Sequence, residues 1–155
     1  MVKKCCLSWL TLLIFLSLAS FANGIEVETF ELITAREANT PDLPSSELHI
    51  EAGREDDGPI IEVVTPELGK IYKSPLQIII KFIPNKGKEI DLSTMKVQYL
   101  KLLTVDITHR VKPYTTENGI NVPGAKLPSG DHGIRLIIGD ITGAITRQVF
   151  YVEVL

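Results

Sequence analysis

The residues best suited to metal or acid–base chemistry are three histidines, His49, His109 and His132. None has a second histidine at ligand spacing, and a zinc or copper site needs several convergent N, S or O ligands. His49 falls in linker-like sequence, and His132 reads as a turn residue whose ring bonds the backbone. Four aspartates, Asp91, Asp106, Asp131 and Asp140, sit near expected strand ends, which gather at the poles of a sandwich. Calcium takes about six to eight oxygen ligands, and no Asp-x-Asp-x-Asp loop supplies them. An aspartate at a turn start is explained by bonding to its own backbone, and that reading is adopted. Ser93 and Ser129 lack the Gly-x-Ser-x-Gly setting of a hydrolase nucleophile. Phosphate loops, paired carboxylates and dinucleotide fingerprints are absent from the sequence. The expectation is a non-enzymatic chain with no cofactor and no metal.

Binding chemistry offers more. Four tyrosines, Tyr72, Tyr99, Tyr114 and Tyr151, follow the export segment described below. Tyr99 reads as core, whereas Tyr72 and Tyr114 lie in connections, where a sugar or small ligand could use them as platforms. Ile79, Ile83 and Ile137 fall on nominally outward positions of strands and hint at an apolar patch. Such a patch is either an interface or is covered by the apolar element within Gly24–Ala38. Exposed sheet edges can also accept a partner strand.

The elements that would position these residues begin with an export signal. Lys3 and Lys4 precede an apolar run from Cys5 to Ala19, and Ser20-Phe21-Ala22 fits a small-x-small cleavage pattern. Cleavage is expected after Ala22. A membrane anchor needs about 20 apolar residues, and this run is shorter and interrupted by Ser8, Thr11 and Ser17. A lipoprotein signal places its cysteine after the apolar run, but Cys5 and Cys6 precede it. Both cysteines and the only tryptophan, Trp9, leave with the signal, so the exported chain has no disulfide and no thiolate site. It must fold on packing alone, which suits a periplasmic or cell-surface setting.

Charge divides what remains. Residues 24–59 carry ten acidic side chains against Arg36 and Arg54, whereas residues 60–155 carry nine acidic against twelve basic. Residues 23–58 therefore read as an acidic, mostly irregular leader. It is either a solvated linker or a tail that touches the basic face of its own domain or a partner. The domain's small, scattered positive excess does not support nucleic-acid binding.

From Pro59 onward, short runs alternate between turn signals. Ile60–Thr65 stops at Pro66. Leu76, Ile78, Ile80 and Phe82 share one face, as do Met95, Val97 and Tyr99 within Met95–Leu102. Asp106–Val111 is a possible short strand, and Gly119–Val122 is expected to end before Pro123-Gly124. Ile134, Leu136 and Ile138 share a face, and Ile145–Val154 is the last strand. About seven strands at this spacing predict an all-β antiparallel sandwich over residues 59–155.

Four segments carry a family likeness. They are Ile61-Glu62-Val63-Val64-Thr65-Pro66, Ile90-Asp91-Leu92-Ser93-Thr94-Met95-Lys96-Val97, Leu127-Pro128-Ser129-Gly130-Asp131-His132 and Asp140-Ile141-Thr142-Gly143. With these, Pro59–Leu155 resembles the bacterial immunoglobulin-like domains of exported and surface proteins. Many relatives carry Asn after the last glycine, where this chain has Ala144. The resemblance implies an immunoglobulin-like sandwich with an adhesive, spacer or binding role, and fold alone assigns none of these. The expected function is an exported protein-binding or structural module of the periplasm or cell surface. Its expected partner is a cell-envelope protein, with no nucleic acid and no membrane span after cleavage. The alternatives are a carbohydrate or small-ligand module and, less favoured, a hydrolase or metal-dependent enzyme.

Overall fold

Residues 29–43 and 57–155 are described by the structure, a computed structural model. The expected signal and the middle of the leader, with His49, lie outside the described residues. Two sheets face each other across an apolar core. The first holds β1 (Phe30–Glu31), β8 (Gly119–Lys126), β4 (Leu76–Ile83) and β2 (Ile60–Thr65) in that order, with β7 (Thr115–Thr116) also on β8. The second runs β3 (Ile71–Tyr72), β10 (Ile145–Val154), β9 (Gly130–Asp140), β5 (Ile90–Tyr99) and β6 (Val105–Asp106). Two one-turn helices, α1 (Ala35–Ala38) and α2 (Thr108–Val111), complete the described elements with a 3-10 turn at Lys112–Tyr114.

The period-2 alternation decides which faces close. Leu76, Ile78, Ile80 and Phe82 of β4 are all buried, opposite Ile134, Leu136 and Ile138 of β9 and Phe150, Val152 and Val154 of β10. Met95, Val97 and Tyr99 are also buried, as their spacing predicts. Each aliphatic side chain taken from water contributes roughly 1.5–3 kcal/mol, so this shared interior holds the two sheets together. A residual apolar cavity of about 20 Å³ remains, lined in part by Leu32, Ile107, Val111, Leu136 and Phe150.

Several boundaries differ from the sequence-based expectation. β8 continues through Pro123-Gly124 instead of ending at Val122. Its register against β4 steps from Ile78↔Val122 to Leu76↔Ala125, which places an extra residue in β8. Such a bulge lets a proline sit in a strand without removing a required ladder bond. Asp106–Val111 is not a strand: only Val105–Asp106 pairs with β5, and Thr108–Val111 turns helical. β5 begins at Ile90 and ends at Tyr99: Leu100 N–H still bonds the Gly133 carbonyl opposite it, but Leu102 N–H turns away to the Pro41 carbonyl. The ladders are mostly antiparallel, but β1 pairs parallel to β8 and β3 parallel to β10. Four of the ten strands among the described residues have two residues each, too short for their periodicity to show in the sequence. Gly119 is required where β8 starts: its φ is +138°, and a Cβ there would lie 2.0 Å from the Ile80 carbonyl oxygen.

The apolar element within Gly24–Ala38 supplies one short strand and one short helix. Phe30–Glu31 adds to β8, and α1 follows with a capping box in which Thr34 and Glu37 bond reciprocally. Leu32 and Ile33 between them are 2 % and 1 % exposed. Residues 29–43 thus form an arm whose centre belongs to the core of the sandwich, although the sequence places it in the leader.

Candidate interaction surface

The arm is fastened by charged groups. The Arg110 guanidinium on α2 donates to both Glu37 carboxylate oxygens at 2.7 and 2.9 Å and to the Leu32 carbonyl at 2.8 Å. That paired bond, with further donation from Thr34, holds the Glu37 carboxyl down at about 2. Further along, Lys101 Nζ reaches Asp42 at 2.5 Å, with only 5 % of its own side chain exposed. Phe30 stacks on Tyr114 with ring centroids 4.9 Å apart.

Beside Lys101 lies a buried polar chain. Tyr99 and His132 are 0 % and 1 % exposed. The Tyr99 hydroxyl lies 3.0 Å from His132 Nδ1, and His132 Nε2 lies 2.8 Å from the Pro128 carbonyl. A carbonyl only accepts, so Nε2 carries the proton, and Nδ1 accepts from the tyrosine. Burial pushes the His132 imidazole below its ordinary value, which keeps it neutral. His132 does bond the backbone as expected, but from inside a strand rather than from a turn. The chain is closed at both ends, which makes it a structural element of the core.

The turn reading of the aspartates holds for three of the four. Asp91 Oδ1 accepts from Ser93 N–H and hydroxyl, Asp106 from Thr108 N–H, and Asp140 Oδ1 from Thr142 N–H and hydroxyl and Ala144 N–H. These bonds hold the Asp106 and Asp140 carboxyls below the usual carboxylate range. No group of three or more His, Cys, Asp or Glu side chains converges among the described residues.

The candidate contact residues do not form one site. Tyr72 is half-buried against the core, and its hydroxyl accepts from Glu67 N–H at 2.8 Å. Tyr114 is half-buried under Phe30. Neither ring offers an open platform for a sugar. Ile79 and Ile83 lie on the outer face of the first sheet, but Ile137 lies on the outer face of the second, so the three make no common patch. The arm does not cover them as one patch either, since it docks at the β8 edge and turns Leu32 and Ile33 inward.

Alternation along β10 reveals what those candidates missed. Phe150, Val152 and Val154 point inward, while Tyr151, Glu153 and Leu155 are exposed. Tyr151 lies over Gly133 of β9, where a Cβ would come within 3.2 Å of its ring. An aromatic laid across a strand glycine restores the contact that the glycine lacks. The parallel pairing with β3 sets Ile71 beside Glu153, and Leu155 N–H donates to the Tyr72 carbonyl. Ile71, Tyr151 and Leu155, 52 %, 45 % and 67 % exposed, therefore gather at one corner of the second sheet. The sequence signal was available, because odd-numbered positions of β10 alternate against a clear core face. The two-residue β3 was not visible.

No family model matches the chain, and no curated protein sequence does. Among solved structures, an endo-beta-1,4-mannanase from Thermotoga petrophila is similar at a TM-score of 0.44 and 11 % identity. The similarity covers 65 % of this chain and 20 % of that one, so the chain spans about a fifth of the mannanase. CopC from Methylosinus trichosporium OB3b is similar at a TM-score of 0.41 and 8 % identity, over 61 % of this chain and 93 % of that one. What the structure establishes is a mostly β protein of two mixed sheets packed as a sandwich.

Proposed function

We propose that this chain is an exported, non-enzymatic module of the immunoglobulin-like kind that binds another protein at the periplasmic or outer surface of the cell. The observation that carries the reading is the corner formed by Ile71, Tyr151 and Leu155. Large apolar side chains kept together in water mark contact sites more often than isolated ones do, and an exposed tyrosine is well suited to interface contacts. Export rests on Lys3, Lys4, the apolar run to Ala19 and Ser20-Phe21-Ala22. Among the described residues, no helix is long and apolar enough to cross a membrane.

A photo-crosslinking residue placed at Tyr151 tests the interface in the native envelope. The expected result is one discrete protein adduct, diminished by Ile71→Asp. Adducts no stronger than those from the same probe at exposed Gln77, on the first sheet, would overturn the reading.

A further inference from the structure

The ends of β10 are covered and its middle is not. β3 pairs with it only at Glu153 and Val154, after which Leu155 N–H donates to the Tyr72 carbonyl. At its start, Gly58 packs on Ile145 and Thr146, and the Pro59 carbonyl accepts from the Thr146 hydroxyl. Between these closures, Arg147 to Tyr151 has β9 on one side and, among the described residues, no strand on the other.

The ladder fixes where the main-chain groups of that stretch point. In an antiparallel pair, successive residues turn their N–H and C=O groups alternately toward the neighbour and away from it. Leu155 N–H points toward β3, away from β9. β10 pairs with β9 over ten residues without a register shift. Arg147, Val149 and Tyr151 therefore also turn their groups away from β9, which puts three donors and three acceptors along one open edge. None of the six bonds another described residue.

The other partly unpaired strands are blunted. The ladders that hold β2, β5 and β8 each carry a register shift, and β8 also contains Pro123. Bulges and prolines are the usual protection of an edge. The open stretch of β10 has neither.

Unmet main-chain groups in a row are matched by another main chain in extended form. From Arg147 to Tyr151 the slot is about 13–14 Å long at the strand rise, room for roughly five residues. A second copy of β10 does not fit it. Antiparallel pairing centred on Val149 would set that copy's Ile145 level with Glu153, a place that Ile71 already holds. The side chains along the slot favour one chemistry. Arg147 is exposed and belongs to no ion pair among the described residues, Val149 is half-buried, and Tyr151 joins the slot to the apolar corner. Cross-strand neighbours of opposite charge, and apolar neighbours of apolar ones, stabilise a pairing.

We propose that the partner of the Ile71–Tyr151–Leu155 corner binds by adding an extended segment of roughly five residues to β10, between β3 and Pro59. An acidic side chain of that segment lies beside Arg147, and apolar ones lie beside Val149 and Tyr151. The inference rests on the corner being a partner contact, and it names how the partner is held.

NMR titration of the isotope-labelled full chain with capped hexapeptides tests it. The probes alternate valine and threonine and carry a glutamate at one end or the other. The amides of Arg147, Val149 and Tyr151 should shift downfield and exchange roughly tenfold more slowly at saturation. Those of Gln148 and Phe150, which face β9, should keep their rates. Two further probes have the same side chains, each methylated on one alternate set of peptide nitrogens. The set that faces β10 loses its donors, so one of the two should bind roughly tenfold more weakly. In Val149→Pro the ladder to β9 is kept, because that N–H points outward, and binding of the plain probe should fall by a similar factor. If both methylated probes bind as well as the plain one, strand addition is wrong. An undiminished photo-adduct at Tyr151 in folded Val149→Pro also sinks it, while leaving the corner as a contact site. No shift with any probe has the same force. So does protection of the three outward amides before any probe is added, since the slot is then filled by the chain itself or by a second copy.

Discussion

Glu37 and Asp42 at one end of the sandwich, and Asp91 and Asp140 at the other, find their hydrogen-bond donors over different distances. At the arm end, Arg110 finds Glu37 and Leu32, Lys101 finds Asp42, and Tyr99 finds His132, all far apart in sequence. At the other end, Asp140 bonds Thr142 and Ala144, and Asp91 bonds Ser93, all within one turn. Local bonds of this kind can form as soon as the turn does. The long-range bonds form only when the sandwich is closed, so the arm end registers the state of the whole molecule.

The contrast can be tested from the largest effect downward. Leu32→Ala removes a side chain that closes the core at the arm end. It should cost about 2–5 kcal/mol in denaturant unfolding, whereas Ile141→Ala, 63 % exposed at the opposite end, should change little. Similar losses for the two would erase the distinction. Arg110→Ala should cost about 1–3 kcal/mol, because it leaves Glu37 without its strongest donor. A double-mutant cycle with Glu37→Ala should show coupling. Limited proteolysis should then cut within residues 29–43 in Arg110→Ala, but near residues 140–144 in Asp140→Ala. Cleavage at both places in either variant would mean that the ends open together.

Acid should act on the arm end in two steps. The His132 pKa is depressed in the folded protein, so the unfolded chain takes up its proton first. The associated stability is complete above about 6.5 and declines as pH falls below it. Glu37, lowered from 4.5 to about 2, contributes stability above its unfolded value that is lost as pH falls through that range. Urea midpoints measured from pH 8 to 3 should show both declines. In His132→Gln the upper one should disappear, and its persistence would assign that step elsewhere. The smallest effect belongs to neither end. Glu62 and Lys81 face each other at 3.5 Å on the outer first sheet, each half exposed. Glu62→Ala should cost less than about 1 kcal/mol, with the difference vanishing at high salt.

Much of this fold is legible in the sequence where burial is one-sided. β4 and β10 carry their inward sets openly, and the ends expected for β2 and β10 coincide with the observed ones. Legibility fails where long-range pairing overrides local chemistry. Pro123 is a stop signal that a bulge neutralises, and residues 107–111 gain a helical turn because Thr108 is bonded to Asp106 and to Val97 of β5. Tyr72 and Tyr114 looked available only because their partners, Glu67 N–H and Phe30, depend on the tertiary fold. Ile79, Ile83 and Ile137 were assigned outward positions correctly, but which sheet each strand joins is a matter of topology that periodicity does not encode.

The parallel pairing of Phe30 with Ala125 has a temporal meaning. A chain synthesised from its N-terminus presents the arm first and β8 among the last strands. Leu32 and Ile33 must stay solvated until nearly every other strand has emerged, since their receptor does not exist before then. Contacts of such sequence separation are slow to form. The arm should therefore be the last element to lock during maturation, and a chain truncated before Lys126 would carry a permanently sticky N-terminus.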